Sequence, residues 1–256
     1  MDIRSILIER GIRPTRSLGQ YFLVDDGVAS RMVEYASVGH GDVVLEIGAG
    51  VGSLTEKLNQ HAKRVYAVEK DRNLCALLQE CYGRENSNTE VMECDIMKLE
   101  LPEFDKVVAS LPFLISSPIT YKLLLREAGF GLAVLLYQKE FAQKLVAKPR
   151  SNLYGRLSVI SQALAEIEIM EIVHRDAFYP PAPVKGAIVR LRENENCEIG
   201  DKRTFFEFVT AAFDQRRKKL RAIFKKTRLG GLKLPALDKR PEELRPEEFV
   251  TLMDYF

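Results

Sequence analysis

Five short apolar runs constrain this chain more than any other feature. Asp42–Ile47, Arg64–Glu69, Thr89–Cys94, Phe104–Ala109 and Gly131–Tyr137 are each six or seven residues long. Helical periodicity separates them: Val28, Met32, Val33 and Ala36 precede the first run, and Leu74, Leu77, Leu78 and Cys81 follow the second. Strands alternating with helices build βαβ units around a mostly parallel sheet that is buried on both faces. Ile167–Val173 and Ala187–Leu191 read as a closing pair of strands, with Pro180, Pro181 and Pro183 stiffening the turn between them. No internal repeat interrupts this pattern. The fold class expected is α/β, with a domain over residues 1–193 and a small helical one over 194–256.

Charge separates the same two regions. The 256 residues carry a formal charge of only +2, yet between Asp201 and Arg228 ten Lys/Arg oppose three acids. Phe205, Phe208, Val209 and Ala212 recur there at helical spacing, as do Leu220, Ile223 and Phe224. An apolar stripe with Arg and Lys opposite suits a basic helix over 202–228, packed on a domain and facing a polyanion. The bland alternative is a solvated basic face. Candidate contacts to a polyanion are Arg216, Arg217, Lys218, Lys219, Arg221, Lys225 and Lys226.

Other classes receive little support. Leu132–Tyr137, the longest apolar stretch, is far short of the roughly 20 residues of a membrane span, and Met1-Asp2-Ile3-Arg4-Ser5 lacks a secretory apolar run. A soluble, cytoplasmic protein is expected. Cys75, Cys81, Cys94 and Cys197 include no C-x-x-C pair, and His40, His61 and His174 stand apart, so no metal is expected.

The stretch Glu46-Ile47-Gly48-Ala49-Gly50-Val51-Gly52-Ser53 follows the first strand and opens a helix. Its glycines at 48, 50 and 52 allow a tight strand-to-helix turn and close approach of backbone to a ligand. Glu69 ends the second strand, 21 residues past Gly48, where a carboxylate can accept from both hydroxyls of a ribose. Asp95 follows the third strand, placed to receive an adenine amino group. Three such features at the carboxyl ends of consecutive strands point to a nucleoside-bearing cofactor. The spacing is G-x-G-x-G, and Ser53 stands where a pyrophosphate fingerprint needs its third glycine. The pattern E-x-G-x-G-x-G suits S-adenosylmethionine, which has no phosphate to cradle, better than NAD.

After the fourth strand comes Ser110-Leu111-Pro112-Phe113-Leu114-Ile115-Ser116. This turn resembles the [N/D/S]-[P/L]-P-[Y/F] motif of methyltransferases that act on exocyclic base amines. More narrowly, the chain resembles the small-subunit rRNA adenine N6,N6-dimethyltransferases, in their archaeal and eukaryotic branch. Motifs of that family have counterparts here in order: Leu18-Gly19-Gln20-Tyr21-Phe22-Leu23, the glycine turn, Ser110–Ser116, Phe178-Tyr179-Pro180-Pro181-Ala182-Pro183-Val184 and Gln215-Arg216-Arg217-Lys218-Lys219-Leu220. Tyr137–Ala142 and Val146–Pro149 fit the archaeal and eukaryotic branch. The likeness covers nearly the whole chain. It implies a Rossmann-like S-adenosylmethionine-dependent fold, a small-subunit rRNA or 30S-like pre-ribosomal particle as partner, and a monomer.

The resemblance also implies roles. The delocalised lone pair of a ring amine makes it a poor nucleophile, and two acceptors at its hydrogens restore tetrahedral character. Here those are the Ser110 side chain and the Leu111 carbonyl, with Pro112 stiffening the turn. Phe113 would stack on an extruded base, worth about 1–3 kcal/mol, and Phe178 would close its other side. Tyr21, Leu23, Glu46, Gly48, Gly50, Gly52, Glu69, Lys70, Asp95, Ile96 and Ser110 would line the cofactor.

Departures from the family pattern leave alternatives open. Ser110 replaces Asn and Phe113 replaces Tyr; Ser in this place is typical of cytosine N4 methylation, so adenine N6 and cytosine N4 both stand as targets. Tyr21 replaces Asn or His, and Lys185-Gly186 replaces an Asp or Asn followed by Ser. A ribosome-assembly factor with weak or no catalysis is the reading from a different class.

Overall fold

The computed structural model describes residues 3–15, 19–194 and 199–256. Leu18 of the Leu18–Leu23 motif, Cys197, and Met1 and Asp2 of the amino terminus lie outside the described residues. The chain begins with α1 (Ile3–Glu9), a two-residue strand β1 (Phe22–Leu23) and α2 (Asp26–Tyr35). Two strand–helix units follow, β2 (Val43–Ile47) with α3 (Ser53–His61) and β3 (Arg64–Glu69) with α4 (Arg72–Tyr82), and then β4 (Thr89–Glu93), which returns without a helix to β5 (Lys106–Ser110). Then come α5 (Ser116–Leu124), β6 (Leu132–Gln138), α6 (Lys139–Leu145), α7 (Arg156–Leu164), β7 (Ala165–Val173), β8 (Phe178–Tyr179) and β9 (Gly186–Glu193). The remainder is helical: α8 (Lys202–Asp214), α9 (Leu220–Ile223) and α10 (Pro246–Met253), joined by short 3-10 turns.

Seven of the strands form one sheet in the order β4-β3-β2-β5-β6-β9-β7, and β1 pairs with β8 in a separate two-stranded sheet. Pairings β2–β3, β3–β4, β2–β5 and β5–β6 are parallel, and β6–β9 is antiparallel. All five expected strands are present, displaced by two residues at most. The central ones are nearly all buried because helices cover both faces, which is why they read as unbroken Val, Leu and Ala. Asp25 accepts from the Val28 amide at 3.0 Å and caps α2; Asp71 accepts from the Asn73 amide at 2.9 Å and caps α4. The order places β2 at the switch point: the chain leaves it toward β3 on one side and returns as β5 on the other. Open α/β sheets bind ligands at the carboxyl ends of such strands.

The chain divides into two compact units. One comprises Met1–Lys122, Phe130–Ala142 and Glu168–Arg192; the other comprises Leu123–Gly129, Gln143–Ile167 and Glu193–Phe256. The expected division at 193/194 therefore captures only part of the second unit, which recruits two earlier segments. Its core explains why: Tyr154, preceding α7, is buried and donates its hydroxyl to the Leu244 carbonyl at 2.6 Å, and Phe208 packs on Phe224 and Phe249 at ring separations of 5.1 and 6.1 Å. A 63-residue tail alone would be marginal, because a domain of that size buries only about 60% of the surface its unfolded chain exposes. The buried set Phe205, Phe208, Val209 and Ala212 is the stripe anticipated from periodicity.

The expected continuous basic helix is not observed. Helix α8 stops at Asp214, Gln215 leaves helical geometry, and α9 has only four residues. Four consecutive cations, Arg216 to Lys219, would share a continuous helix with one acid a turn away, Asp214, so most of their mutual repulsion would go unopposed. Among the described residues, no helix is long and apolar enough to cross a membrane.

Candidate functional site

A cavity of about 260 Å³ opens at the carboxyl ends of β2, β3, β4 and β5, wholly within the first unit. Its floor is the glycine turn. Gly48 has φ +72°, a left-handed conformation, and a Cβ there would lie 3.3 Å from Pro112 Cδ and 4.0 Å from the Ser110 carbonyl. The turn after β2 and the turn after β5 are thus packed against each other because residue 48 has no side chain.

Charge in the cavity is held by internal partners. The Glu69 carboxylate accepts from three backbone amides: Gly50 at 2.9 Å on Oε2, and Lys70 at 2.7 Å and Asp71 at 2.9 Å on Oε1. It joins the glycine turn to the start of α4 and keeps one lone pair of Oε2 for a further donor. Asp95 accepts from the Met97 amide at 3.0 Å and from Lys70 Nζ at 2.8 Å, and that lysine holds the carboxyl below the usual carboxylate range. Glu46 is 1% exposed, and its described partner is the Thr55 hydroxyl at 2.7 Å. Burial pushes its carboxyl up to about 8, aided by repulsion from Glu69 and opposed by the Thr55 hydrogen bond.

Of the expected cofactor residues, Tyr21, Leu23, Glu46, Gly48, Gly50, Glu69, Lys70, Asp95, Ile96 and Ser110 line this cavity together. Val68, Leu74, Ile96 and Met97 add apolar wall beside the two acids, suited to a flat ring. Gly52 does not line it. With φ +88°, a Cβ there would meet Leu78 and Tyr82 at 3.3 Å, so this glycine lets α3 approach α4. Its place in the motif gave no way to tell a ligand-facing glycine from a packing one.

The turn after β5 places Ser110 and Pro112 in the lining, with Leu111 buried behind them. The Ser110 hydroxyl has no hydrogen-bond partner among the described residues. Phe113 is half-buried, stacked on Tyr21 at 5.9 Å and edge-on to Phe178 at 6.2 Å. Phe178 is only 1% exposed and belongs to the core. It supports Phe113 from behind and offers no free face to a base, so its expected place as the opposite jaw is corrected.

Sequence reasoning missed several residues. Gln20 donates to Asp71 Oδ2 at 3.2 Å and accepts from the Thr15 amide at 2.7 Å, tying the segment before β1 to the cap of α4. It stood in the quoted Leu18–Leu23 motif without a role. Asp71 carried a readable signal, a capping acid just before an apolar-periodic helix. Leu114, 67% exposed at the rim, carried none.

The basic candidates divide. Arg216 pairs with Glu242 at 2.6 Å, and Arg221 grips Asp238 through two bonds of 3.0 and 3.1 Å while donating to the Leu232 carbonyl at 2.7 Å. Both are internal ties of the second unit. Arg217, Lys218, Lys219, Lys225 and Lys226 are exposed and have no ion pair among the described residues.

Residues 12–256 match the sequence profile of the family described as ribosomal RNA adenine dimethylase. The chain belongs to that family. Like other adenine dimethylases of rRNA it is an S-adenosylmethionine-dependent methyltransferase with a Rossmann-like sheet, as the motifs implied. It is 40% identical over 265 residues to the "Probable ribosomal RNA small subunit methyltransferase A" of Thermococcus onnurineus, covering 98% of this chain and 95% of the relative. A solved dimethyladenosine transferase from Plasmodium falciparum has a TM-score of 0.80 at 28% identity, covering 90% of this dimethylase and 95% of that chain. The 23S rRNA methyltransferase ErmE has a TM-score of 0.69 at 28% identity, covering 91% and 98%.

Proposed function

We propose that this chain dimethylates the N6 amine of an adenine near the 3′ end of small-subunit rRNA, in the cytoplasm and on a 30S-like pre-ribosomal particle. The observation that carries the reading is the Ser110 hydroxyl: it lines the cavity without a described partner, on a turn locked against the glycine turn. An oxygen so placed accepts from an incoming amine, and its own hydrogen turns away. The Leu111 carbonyl supplies the second acceptor. Phe113, backed by Phe178 and Tyr21, presents an aromatic face on which the extruded base stacks.

The lining residues fit the cofactor. Gly48 and Gly50 are part of the cavity lining, the remaining Glu69 lone pair takes a ribose hydroxyl, and Asp95 with Ile96 takes an adenine ring. When bound, S-adenosylmethionine supplies an electrophilic methyl group. The protein's part is positioning: it holds the amine in line, and strong acid–base chemistry is not required. The five unpaired cations from Arg217 to Lys226 hold phosphates.

Incubating the purified protein with small-subunit particles and cofactor, then resolving digested nucleosides by mass spectrometry, tests this. Dimethyladenosine is expected. Dimethylcytidine in its place would transfer the reading to cytosine N4, which serine in place of asparagine favours. Particle binding with neither product would leave a non-catalytic assembly factor.

A further inference from the structure

Lys139 and Lys185 stand side by side where β6 ends and the antiparallel β9 begins. The Lys139 amide donates to the Lys185 carbonyl at 2.9 Å, one step beyond the last pair of the ladder, Gln138 opposite Gly186. A Cβ on Gly186 would lie 3.0 Å from Leu136 Cδ1, so the close approach of the two strands there needs the glycine. Both lysine side chains are exposed, and among the described residues neither has an acid within ion-pair distance. Arg175 lies on the loop that leads to Lys185: its carbonyl accepts from the Ala182 amide at 3.1 Å, which folds the loop back on itself, and its exposed guanidinium has no described partner. The neighbouring acids are engaged, Asp176 with His174 Nδ1 at 3.0 Å and Glu140 with a contact of its own. Like charges placed opposite each other on adjacent strands destabilise a sheet end. Such a pair gains from an anion between them.

The position relative to the reacting turn is set by register. Ser110 pairs with Leu136, so Lys139, which follows the last residue of β6 and opens α6, lies three residues beyond the partner of Ser110. That is roughly 10 Å outward and about 4.8 Å to the side. On the other flank, β8 pairs Phe178 with Leu23, and the Phe178 ring supports Phe113. The same loop exposes Val184 at 43%. Cations are therefore set around the mouth where a base would enter, on the catalytic unit itself.

We propose that Lys139, Lys185 and Arg175 form a second phosphate-holding surface, one that grips the RNA backbone a nucleotide or two from the base presented to Ser110. The proposal rests on the reading of Ser110 given above. Lysine ammonium groups meet phosphate as point charges and a guanidinium as a fork, and contacts of this kind fix register without reading sequence. Lys185 stands where the resembled motif carries Asp or Asn, so the positive charge is one this chain adds.

Binding of a 3′-terminal fragment of small-subunit rRNA, measured over a range of KCl concentrations, tests it in the full chain. Lys139→Gln/Lys185→Gln should lower the slope of log affinity against log salt by about 1.5 to 2, with roughly tenfold weaker binding near 0.1 M salt. Adding Arg175→Gln should lower it by about one more. Cofactor affinity by calorimetry should not change and Tm should not fall, which separates lost contacts from lost folding. Lys185→Asp should weaken RNA binding further than Lys185→Gln. A wild-type protein that methylates RNA, with variants that keep its salt slope, overturns the surface and leaves the Ser110 reading intact. Weakening on particles alone, with free RNA unaffected, also overturns it, because an acidic protein surface would then be the partner. A wild-type protein that binds RNA through these residues without methylating it would count against Ser110 and in favour of the surface.

Discussion

The cofactor cavity and the basic segment both carry charge, and they handle it in opposite ways. In the cavity, acidic side chains are met by fixed partners: three backbone amides for Glu69, an amide and a lysine for Asp95, a hydroxyl for Glu46. From Arg217 to Lys226 the cations lie in solvent, and those drawn into ion pairs, Arg216 and Arg221, serve the fold instead. Preorganised charge suits a small ligand whose every group must be met in place. Exposed charge suits a polyanion that brings many equivalent groups and releases counterions as it binds. The cavity should therefore respond to pH and to single substitutions, and the basic segment to salt and to the number of charges removed.

Glu46 gives the largest expected effect. Its carboxyl is raised from an ordinary 4.5 to about 8 by burial, so the folded protein keeps a proton that the unfolded chain releases. Between those two values the folded state binds more protons, and stability must fall as pH rises, levelling off above about 8. Glu46→Gln keeps an acceptor for Thr55 and removes the titration. Urea unfolding should show the two proteins alike near pH 5 and the variant more stable near pH 8, by on the order of 3 kcal/mol. A pH-independent difference would mean that Glu46 stays ionised.

Glu69→Ala comes next. It leaves the Gly50, Lys70 and Asp71 amides unmet and removes the acceptor for the ribose. A loss of about 100-fold in cofactor affinity is expected by calorimetry, since hydrogen bonds to a charged group contribute about 1.5–3 kcal/mol each. If affinity held, the three amides would be the whole function of Glu69.

What the sequence revealed follows the range of the interactions involved. The strands of the sheet were legible because burial on both faces writes continuous apolar runs, and Asp95 and Glu69 because they end those runs. Side-chain partners far along the chain were not legible. Arg216 meets Glu242 and Arg221 meets Asp238, 26 and 17 residues on, so local charge counting treated both as free. Phe178 reads as a site aromatic from its motif, but its pairing with β1 turns it into the core. Gly52 looked like a third ligand-facing glycine, and only the packing of α3 on α4 assigns it differently.

The split within the basic segment gives a smaller, sharper test. Replacing Arg217, Lys218 and Lys219 by Gln should lower the salt slope of RNA binding by about 2 and weaken binding roughly tenfold near 0.1 M salt, with Tm unchanged. Arg221→Gln should do the reverse, lowering Tm with the slope nearly intact, because its guanidinium is spent on Asp238 and the Leu232 carbonyl. Equal salt slopes for the two variants would erase the distinction between tie and contact.

The smallest effect is expected at Lys70, the one place where the cavity borrows the manner of the basic segment. This side chain is 64% exposed, yet it lies 2.8 Å from Asp95. An exposed ion pair contributes little, from nothing to about 1 kcal/mol, so Lys70→Met should change cofactor affinity at neutral pH by less than about fivefold. Its signature lies in acid. Asp95 is held below the usual range chiefly by Lys70, so removing the lysine raises the Asp95 carboxyl. Protonation then begins at higher pH, and the decline of cofactor binding on acidification should move upward in pH with it. Added salt should shrink the difference between wild type and variant, as it screens an exposed pair. An acid limb that stays in place would show that the Met97 amide alone sets the Asp95 carboxylate.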